Sequence, residues 1–543
     1  MAECPSSRTL GDLLDEQLAS RPEAEAFVFE DRRITYRQLH DEVSRLAKGF
    51  MSLGVGKGDK VAVLMGNRPE WFITVLAAAK AGAALVSLST WYYAGEIEYV
   101  LKHSGASVLV MIDKFPRIKR DYIPLAQELF PELESGPRGL GQVEKLPALK
   151  HVVCIGDSRL PGMLSWAETL TQGSKISDAA LAARQALVDP EDDMYMLYTS
   201  GTTAAPKAVP LQHGKLIENG FNMGERQHQT DQDRLWMGCP CFFSYMSCNA
   251  FMTIFTHGGC VVFQEAFEAG EALEIIERER CTVIYTMPNI TSALITHPDR
   301  PVRNLSSLEK GATIGAPAQV QEIVDLGATH ISNVYGLTET YGNCAFCDGH
   351  EPLETRLVSQ GPALPGNELR IKDPETGATL PTGQIGEICV RGHVTTGYYN
   401  DPEMTAASFD DEGFFRTGDL GQLDERGYLQ FESRMKDMIK SGGINISPLE
   451  VEEFLLGNPK IKEAHVVGIP HETRGEVVVA CLALRPEMQA DAEEMKRYVK
   501  GKIASYKAPQ HFLFFESDEL PRTGSGKVPK NQLRELVAER LEC

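Results

Sequence analysis

Between Tyr198 and Val209 the chain reads Tyr-Thr-Ser-Gly-Thr-Thr-Ala-Ala-Pro-Lys-Ala-Val, a run whose residue types suit the holding of phosphate. Small residues let the backbone approach an anion, the hydroxyls of Thr199, Ser200, Thr202 and Thr203 offer donors, and Lys207 supplies a point charge. The lysine is not preceded by glycine and followed by Ser or Thr, which disfavours a standard P-loop NTPase. Alone, the run would serve equally well as a Ser/Thr-rich turn.

Four other segments carry further chemistry. Asn333-Val-Tyr-Gly-Leu-Thr-Glu-Thr340 gathers an aromatic ring, hydroxyls and a carboxylate, and Thr417-Gly-Asp419 sets a carboxylate in a turn. Arg434-Met-Lys-Asp-Met-Ile-Lys-Ser-Gly-Gly-Ile-Asn-Ile-Ser-Pro-Leu-Glu450 opens on a basic pair and holds two adjacent glycines. Near the end, Pro521-Arg-Thr-Gly-Ser-Gly-Lys527 places a lysine at the tip of a glycine-rich loop. A mobile ammonium that bridges two anionic reactants lowers their barrier electrostatically. In isolation Tyr335 would read as a core aromatic, Asp419 as a turn cap and Lys527 as a solvated surface lysine.

All five segments, in this order, resemble the core motifs of the adenylate-forming superfamily: acyl- and aryl-CoA synthetases, firefly-luciferase-like enzymes and the adenylation domains of nonribosomal peptide synthetases. With the weaker Gly54-Val-Gly-Lys-Gly-Asp59, the resemblance covers nearly the whole chain. It implies an ATP-dependent carboxylic acid:CoA ligase, which forms acyl-AMP and pyrophosphate and then passes the acyl group to coenzyme A. ATP, Mg²⁺ and coenzyme A are the implied cofactor and co-substrates.

The same resemblance implies residue roles. Thr199, Ser200, Gly201, Thr202, Thr203 and Lys207 would grip the β- and γ-phosphates, and Glu339 would hold Mg²⁺, a hard cation suited to a carboxylate. Tyr335 would stack on adenine beside Gly315, Ala316 and Pro317, with Asn333 and Gly336 in the same nucleotide site. Thr338 would bond the α-phosphate, Asp419 would accept both ribose hydroxyls and Arg434 would steady the ribose. Lys527 would be catalytic, with Thr338 and Glu339. Lys436 would be the hinge about which a C-terminal domain turns between half-reactions. Gly442 and Gly443 would line the pantetheine arm, and Arg474 and Lys507 would meet the nucleotide of CoA. The implied division is an N-terminal domain at 1–433, a hinge at 434–436 and a C-terminal domain at 437–543.

Departures from the family pattern are local. Ala204 and Ala208 stand where glycine is usual, at a cost of about 1 kcal/mol or more if either needs a positive φ. Pro240-Cys-Phe-Phe243 puts phenylalanine where the acyl gate often has histidine. The expected acyl wall of Phe243, Tyr245, Met246, Ala312 and Tyr341 suits an aromatic or medium-chain aliphatic acid. It suits an amino acid poorly, because a buried ammonium would need a carboxylate partner. Three alternatives remain: loading of a carrier-protein phosphopantetheine, a luciferase-like oxygenase, and a non-catalytic nucleotide-binding homologue.

The elements that must position these residues follow from periodicity. Apolar residues at Leu39, Val43, Leu46, Phe50 and Leu53 predict a helix from a capping Thr35 to a stop at Gly54. The strand-like run Val61 to Met65, a helix from Pro69 and the run Ala84 to Leu88 make a β-α-β unit. A second unit follows, with Glu96 to Lys102 helical and Ala106 to Met111 extended. From about Gly361 to Gln430, short β-branched runs predict a mostly β subdomain, and after Arg434 an α+β pattern begins with a capping box at Ser447-Pro-Leu-Glu450. With the resemblance, the fold class is α/β: a large N-terminal domain of two doubly wound subdomains plus a β-rich one, and a small mobile α+β C-terminal domain.

Composition sets outer limits. The 543 residues, 43% hydrophobic and 24% charged, suit a folded multidomain protein rather than a disordered one. A net charge of −21 disfavours nucleic acid but not a small phosphorylated ligand held by local donors. Lys80 and Gly82 interrupt the most apolar stretch, Phe72 to Leu88, which reads as a buried helix running into a strand. The start of the chain has no secretory pattern and its twelve cysteines are scattered, so reduced thiols and a cytoplasmic location are expected, as monomer or homodimer. Cys344-Ala-Phe-Cys347 lacks the second ligand pair that zinc requires and reads as coincidence.

Overall fold

Thr35 caps the first long helix, Tyr36–Ser52, by accepting the Gln38 amide, while the Gln38 side chain returns to the Thr35 amide at 2.9 Å. Leu39, Val43, Leu46 and Phe50 point into the core, and Gly54 at φ +86° ends the element. This is a computed structural model; it describes residues 3–542 apart from 116, 118, 135–144, 200–205, 442–443, 472–474, 501, 504–506 and 524–526.

The two predicted β-α-β units are present: strand Lys60–Leu64, helix Pro69–Ala81 and strand Ala84–Ser87, then helix Ala94–Ser104 and strand Val108–Ile112. Every residue of Pro69–Ala81 is buried, which explains the continuous apolar text. Its one lysine, Lys80, bonds Asp15 at 2.5 Å and Gln185 at 2.9 Å. Burial would raise the Asp15 pKa, but His40 and Lys80 outweigh it and hold the group at about 2. Among the described residues no helix is long and apolar enough to cross a membrane.

These strands join a seven-stranded sheet ordered Lys207–Gln212, Asp193–Thr199, Ala84–Ser87, Lys60–Leu64, Val108–Ile112, His151–Ile155, Leu164–Ser165. It is parallel except at the Asp193–Thr199/Lys207–Gln212 hairpin. A second sheet of eight strands runs through His330–Tyr335, Lys310–Thr313, Val283–Tyr285, Arg234–Met237 and Cys260–Phe263, parallel in its centre and closed by an antiparallel strand at each edge. The two share one hydrophobic core. Helix-covered parallel sheets of this kind bind ligands in the crevice beyond the carboxyl ends of their strands.

Between Gly361 and Arg434 five antiparallel strands form a separate sheet with its own small core. After Met435 the long hairpin Ile461–His471/Gly475–Leu484 anchors a further sheet, packed with helices Pro448–Leu456 and Lys530–Glu542 around two clusters of Ile, Val and Leu. The capping box expected at Ser447 is only half formed. Ser447 accepts the Glu450 amide at 3.4 Å, but the Glu450 carboxylate takes Lys507 instead of returning to the cap.

Helix Pro448–Leu456 faces the strand Tyr428–Arg434, and there Glu453 lies near Glu432, Glu452 and Glu450. Burial first, then those three carboxylates, push its pKa from 4.5 to about 7. The folded chain thus keeps a proton that the unfolded chain gives up, so stability falls as pH rises from 4.5 through about 7. Glu453→Gln is expected to match the wild-type melting temperature near pH 4.5 and exceed it above pH 7. Parallel melting curves across that window would overturn the assignment. The flanking cations are Lys507 at Glu450 and Lys530 at Glu452.

Candidate active site

The hairpin that frames the Ser/Thr-rich run pairs Thr199 with Lys207. Ser200, Gly201, Thr202, Thr203 and Ala204 lie outside the described residues, but the anchors of their loop are well fixed. Tyr99 Oη donates to the Pro206 carbonyl at 3.2 Å, and the Tyr399 amide donates to the Ala208 carbonyl at 3.0 Å. Ala208 is an ordinary strand residue paired with Tyr198 and has no positive φ. The backbone strain feared for alanine there does not arise.

Strand His330–Tyr335 ends in a 3₁₀ turn, Thr338–Thr340, that closes when the Leu337 amide donates to Thr340 Oγ1 at 2.9 Å. Gly336 is needed where the turn begins, since a Cβ there would lie 2.2 Å from the Gly342 carbonyl. The turn presents Glu339, buried, with Oε1 accepting the Tyr398 hydroxyl at 2.8 Å. The Tyr398 ring lies under Lys207, whose Nζ is 5.1 Å from the ring centre. One tyrosine thus joins the carboxylate of one segment to the lysine of another. Beside it, Thr338 Oγ1 lies 3.0 Å from Ser244 Oγ.

A second cluster centres on Asp419. Its Oδ2 accepts the Tyr335 hydroxyl at 2.9 Å, and its Oδ1 lies 3.6 Å from Arg434 Nε, its partner across the strand pair. Burial raises the Asp419 pKa, while Arg434, Tyr335 and Lys527 pull it back. Lys527 belongs to the same field. Crowding by the surrounding protein lowers its pKa, Arg434 adds to the effect and Asp419 opposes it. The side chain nevertheless remains solvent-exposed. Its carbonyl accepts the Thr523 amide at 2.8 Å.

Asn333 is buried, with Oδ1 taken by the Val334 amide and Nδ2 left without a partner among the described residues, a donor available to a ligand. Across the strand edge, Ala316 caps helix Pro317–Leu326, with Pro317 at its first position. Gly315 has a φ of +155°, and a Cβ there would stand 2.7 Å from Gln319 Oε1. Tyr335 is nine-tenths buried, and its ring stacks on Phe431 at 5.7 Å.

Of the five acyl-wall candidates, Phe243 and Tyr245 keep partial exposure. Tyr245 spends its hydroxyl on the carbonyls of Thr286 and Ala312, at 3.0 and 2.8 Å. Met246, Ala312 and Tyr341 are fully enclosed. Tyr341 belongs to the packing beneath the turn, where its hydroxyl accepts the Gln212 amide at 2.9 Å, and it offers no open wall. The sequence reading missed Trp91, which packs edge-on to Phe242 at 4.8 Å and lies 5.5 Å from Phe243. It also missed Tyr398, whose aromatic-hydroxyl type beside Gly397 carries no signal of its neighbours.

Of the residues expected at CoA, Gly442, Gly443 and Arg474 lie outside the described residues, and Lys507 is paired with Glu450. Lys436 is exposed in a 3₁₀ turn, Met435–Asp437, between the β-rich sheet and the C-terminal strands. Cys344 and Cys347 are buried thiols whose pKa burial pushes up to about 12. A depression of about 460 Å³, lined by Glu25, Arg33, Arg234 and Glu279 among others, contains none of the motif residues.

Set against known proteins, residues 14–399 match the family described as AMP-binding enzyme, and residues 450–527 match the AMP-binding enzyme C-terminal domain. YngI of Bacillus subtilis, which bears the name of an acyl-CoA synthetase, is 36% identical over 99% of this chain and 98% of its own. The human mitochondrial medium-chain acyl-CoA ligase ACSF2 is 33% identical over 99% of this chain and 88% of its own. Among solved structures, the anthranilate CoA ligase AuaEII in complex with anthranoyl-AMP superposes with a TM-score of 0.87 at 26% identity, covering 99% of both chains.

Proposed function

The chain belongs to the AMP-binding enzyme family and within it is an acyl-CoA synthetase; from that premise we propose that it activates a medium-chain aliphatic acid with ATP and transfers the acyl group to coenzyme A. The observation that carries this reading is the convergence of the motif residues, with Tyr398 joining Glu339 to Lys207 and Asp419 meeting Tyr335 and Arg434; Lys527 lies within the field of that last pair. An apolar acid is favoured by the partly exposed aromatic side chains of Trp91, Phe243 and Tyr245. The medium-chain class is favoured by the whole-length likeness to ACSF2.

In this proposal the ribose hydroxyls take Asp419, the adenine lies along Tyr335 and the Gly315–Pro317 turn, and Asn333 Nδ2 supplies a donor to the base. Lys207 and the hydroxyl-rich loop hold the outer phosphates. Glu339 offers a hard oxygen ligand that fits Mg²⁺, which when bound would offset phosphate charge. The substrate carboxylate oxygen attacks the α-phosphorus, the bond to the β-phosphate oxygen breaks and pyrophosphate leaves. Lys527 and Thr338 meet the negative charge that spreads over the α-phosphate oxygens. Rotation about Lys436 would then let the CoA thiolate attack the acyl carbon and expel AMP.

Tyr398 is a positioning residue in this scheme. Tyr398→Phe keeps the ring under Lys207 but removes the bond to Glu339, and is expected to lower acid-dependent pyrophosphate release about tenfold and raise the Mg²⁺ requirement. An unchanged Mg²⁺ dependence would remove Tyr398 from the scheme.

The function is tested by pyrophosphate release with hexanoate, octanoate, decanoate, benzoate and anthranilate, each with and without CoA. Octanoate-type acids should release pyrophosphate and yield thioester only with CoA. Preference for the aromatic acids would favour the second reading, which the likeness to AuaEII supports. Thioester on a carrier-protein pantetheine but not on CoA, or no release with any acid, would sink the proposal.

A further inference from the structure

Three histidines and an aspartate converge at the end of strand His330–Tyr335 farthest from the nucleotide site. His228 Nε2 and Asp348 Oδ1 are 2.8 Å apart, and the same Oδ1 accepts the His350 amide at 2.9 Å. The rings of His228 and His350 stack at 3.8 Å, and His330 meets His350 edge to face at 4.7 Å. One donor atom each from His228, Asp348 and His350 lies within 4.8 Å of the others.

We propose that His228, Asp348 and His350 form a binding site for a divalent transition metal of the Zn²⁺ class, separate from the catalytic cleft. Two imidazoles and a carboxylate are the donor set that Zn²⁺ prefers over Mg²⁺, which takes oxygen ligands and keeps its waters. Bonds of about 2.0–2.2 Å to tetrahedral Zn²⁺ leave donors roughly 3.4 Å apart. The set must therefore close by about 1.5 Å and unstack its rings, a side-chain rotation that the exposure of His228 and His350 permits.

The backbone under these ligands is already braced. His228 sits in the left-handed region at φ +54°, and Lys310 Nζ donates to its carbonyl at 2.8 Å. The Gly349 amide donates to the Arg226 carbonyl at 2.9 Å and so ties the two ligand-bearing turns together. Behind them, His330 Nδ1 has no hydrogen-bond partner among the described residues and lies 3.5 Å from Glu309 Oε1. That carboxylate–histidine pair is placed to orient a third imidazole beside the ion. From His330 to Tyr335 the strand advances about 16 Å, so metal here would not touch ATP.

The test is calorimetric titration of the metal-free full chain with Zn²⁺, in the presence of excess Mg²⁺. One equivalent should bind, and His350→Ala and Asp348→Asn should each weaken binding by about 10- to 100-fold or more. Both positions lie outside the nucleotide and acyl residues, so pyrophosphate release by the metal-free variants should stay at the wild-type rate and report that they are folded. Co²⁺ in the wild type should give the visible bands of a tetrahedral nitrogen–oxygen site, which the His350→Ala variant loses. No saturable binding by the wild type, or wild-type affinity in both variants, would overturn the proposal.

Discussion

Lys527→Ala is expected to cut acid-dependent pyrophosphate release by about 10²- to 10³-fold, the loss that follows removal of one preorganised charge from a reacting centre. In the proposed scheme the ammonium meets the negative charge that spreads over the α-phosphate, within the field of Asp419 and Arg434. In that scheme the second half-reaction uses a different domain arrangement. Acyl-AMP supplied ready-made should therefore still give thioester with CoA at close to the wild-type rate. Its lowered pKa adds a pH signature: Lys527 loses its proton earlier than an ordinary lysine, so adenylation should decline on the alkaline side before thioester formation does. Full pyrophosphate release by the alanine variant would remove Lys527 from the chemistry.

The second large effect is expected at Asp419. Asp419→Ala removes the acceptor of the Tyr335 hydroxyl and the counter-charge of both Arg434 and Lys527. A buried hydroxyl left unpaired costs about 1–3 kcal/mol of stability, and losing the charged hydrogen bonds to the ribose that the proposed scheme assigns to Asp419 should weaken ATP binding about 100-fold or more. Asp419→Asn separates the two, since its amide oxygen can still accept from Tyr335 but carries no charge. Melting should then recover while ATP affinity stays low. Burial raises the Asp419 pKa, so wild-type ATP affinity should fall, as pH drops, sooner than for an ordinary carboxylate. Calorimetry with the ATP–Mg²⁺ complex checks both statements, and unchanged affinity in Asp419→Ala would refute them.

Legibility varied with how local the physics was. The helix at Tyr36–Ser52 was readable because cap, apolar stripe and stop glycine lie in one stretch of chain. Pro69–Ala81 was readable as buried, but the answer to its lysine was not, because Asp15 and Gln185 reach Lys80 from distant segments. The capping box at Ser447 was over-read, since Glu450 found a stronger partner in Lys507 than the local amide.

The site shows the same divide. Asp419, Glu339, Lys207 and Lys527 stand out by type, by their small-residue settings and by their order along the chain. Nothing in the sequence, however, says that Tyr335 reaches Asp419, that Tyr398 links Glu339 to Lys207, or that Trp91 packs beside Phe243. Tyr341 looked like an acyl wall by its neighbours and turned out to be enclosed.

By itself the sequence determined the α/β class, the first helices and strands of the N-terminal region and the chemical inventory, because helix caps, period-two strands and glycine-rich turns are governed by interactions over a few residues. The tertiary structure alone decided which groups share a field, which walls are open, and where His228, His330, Asp348 and His350 meet. Those outcomes depend on sheet order and on burial, and both join residues that lie far apart in the chain, as His228 and Asp348 do.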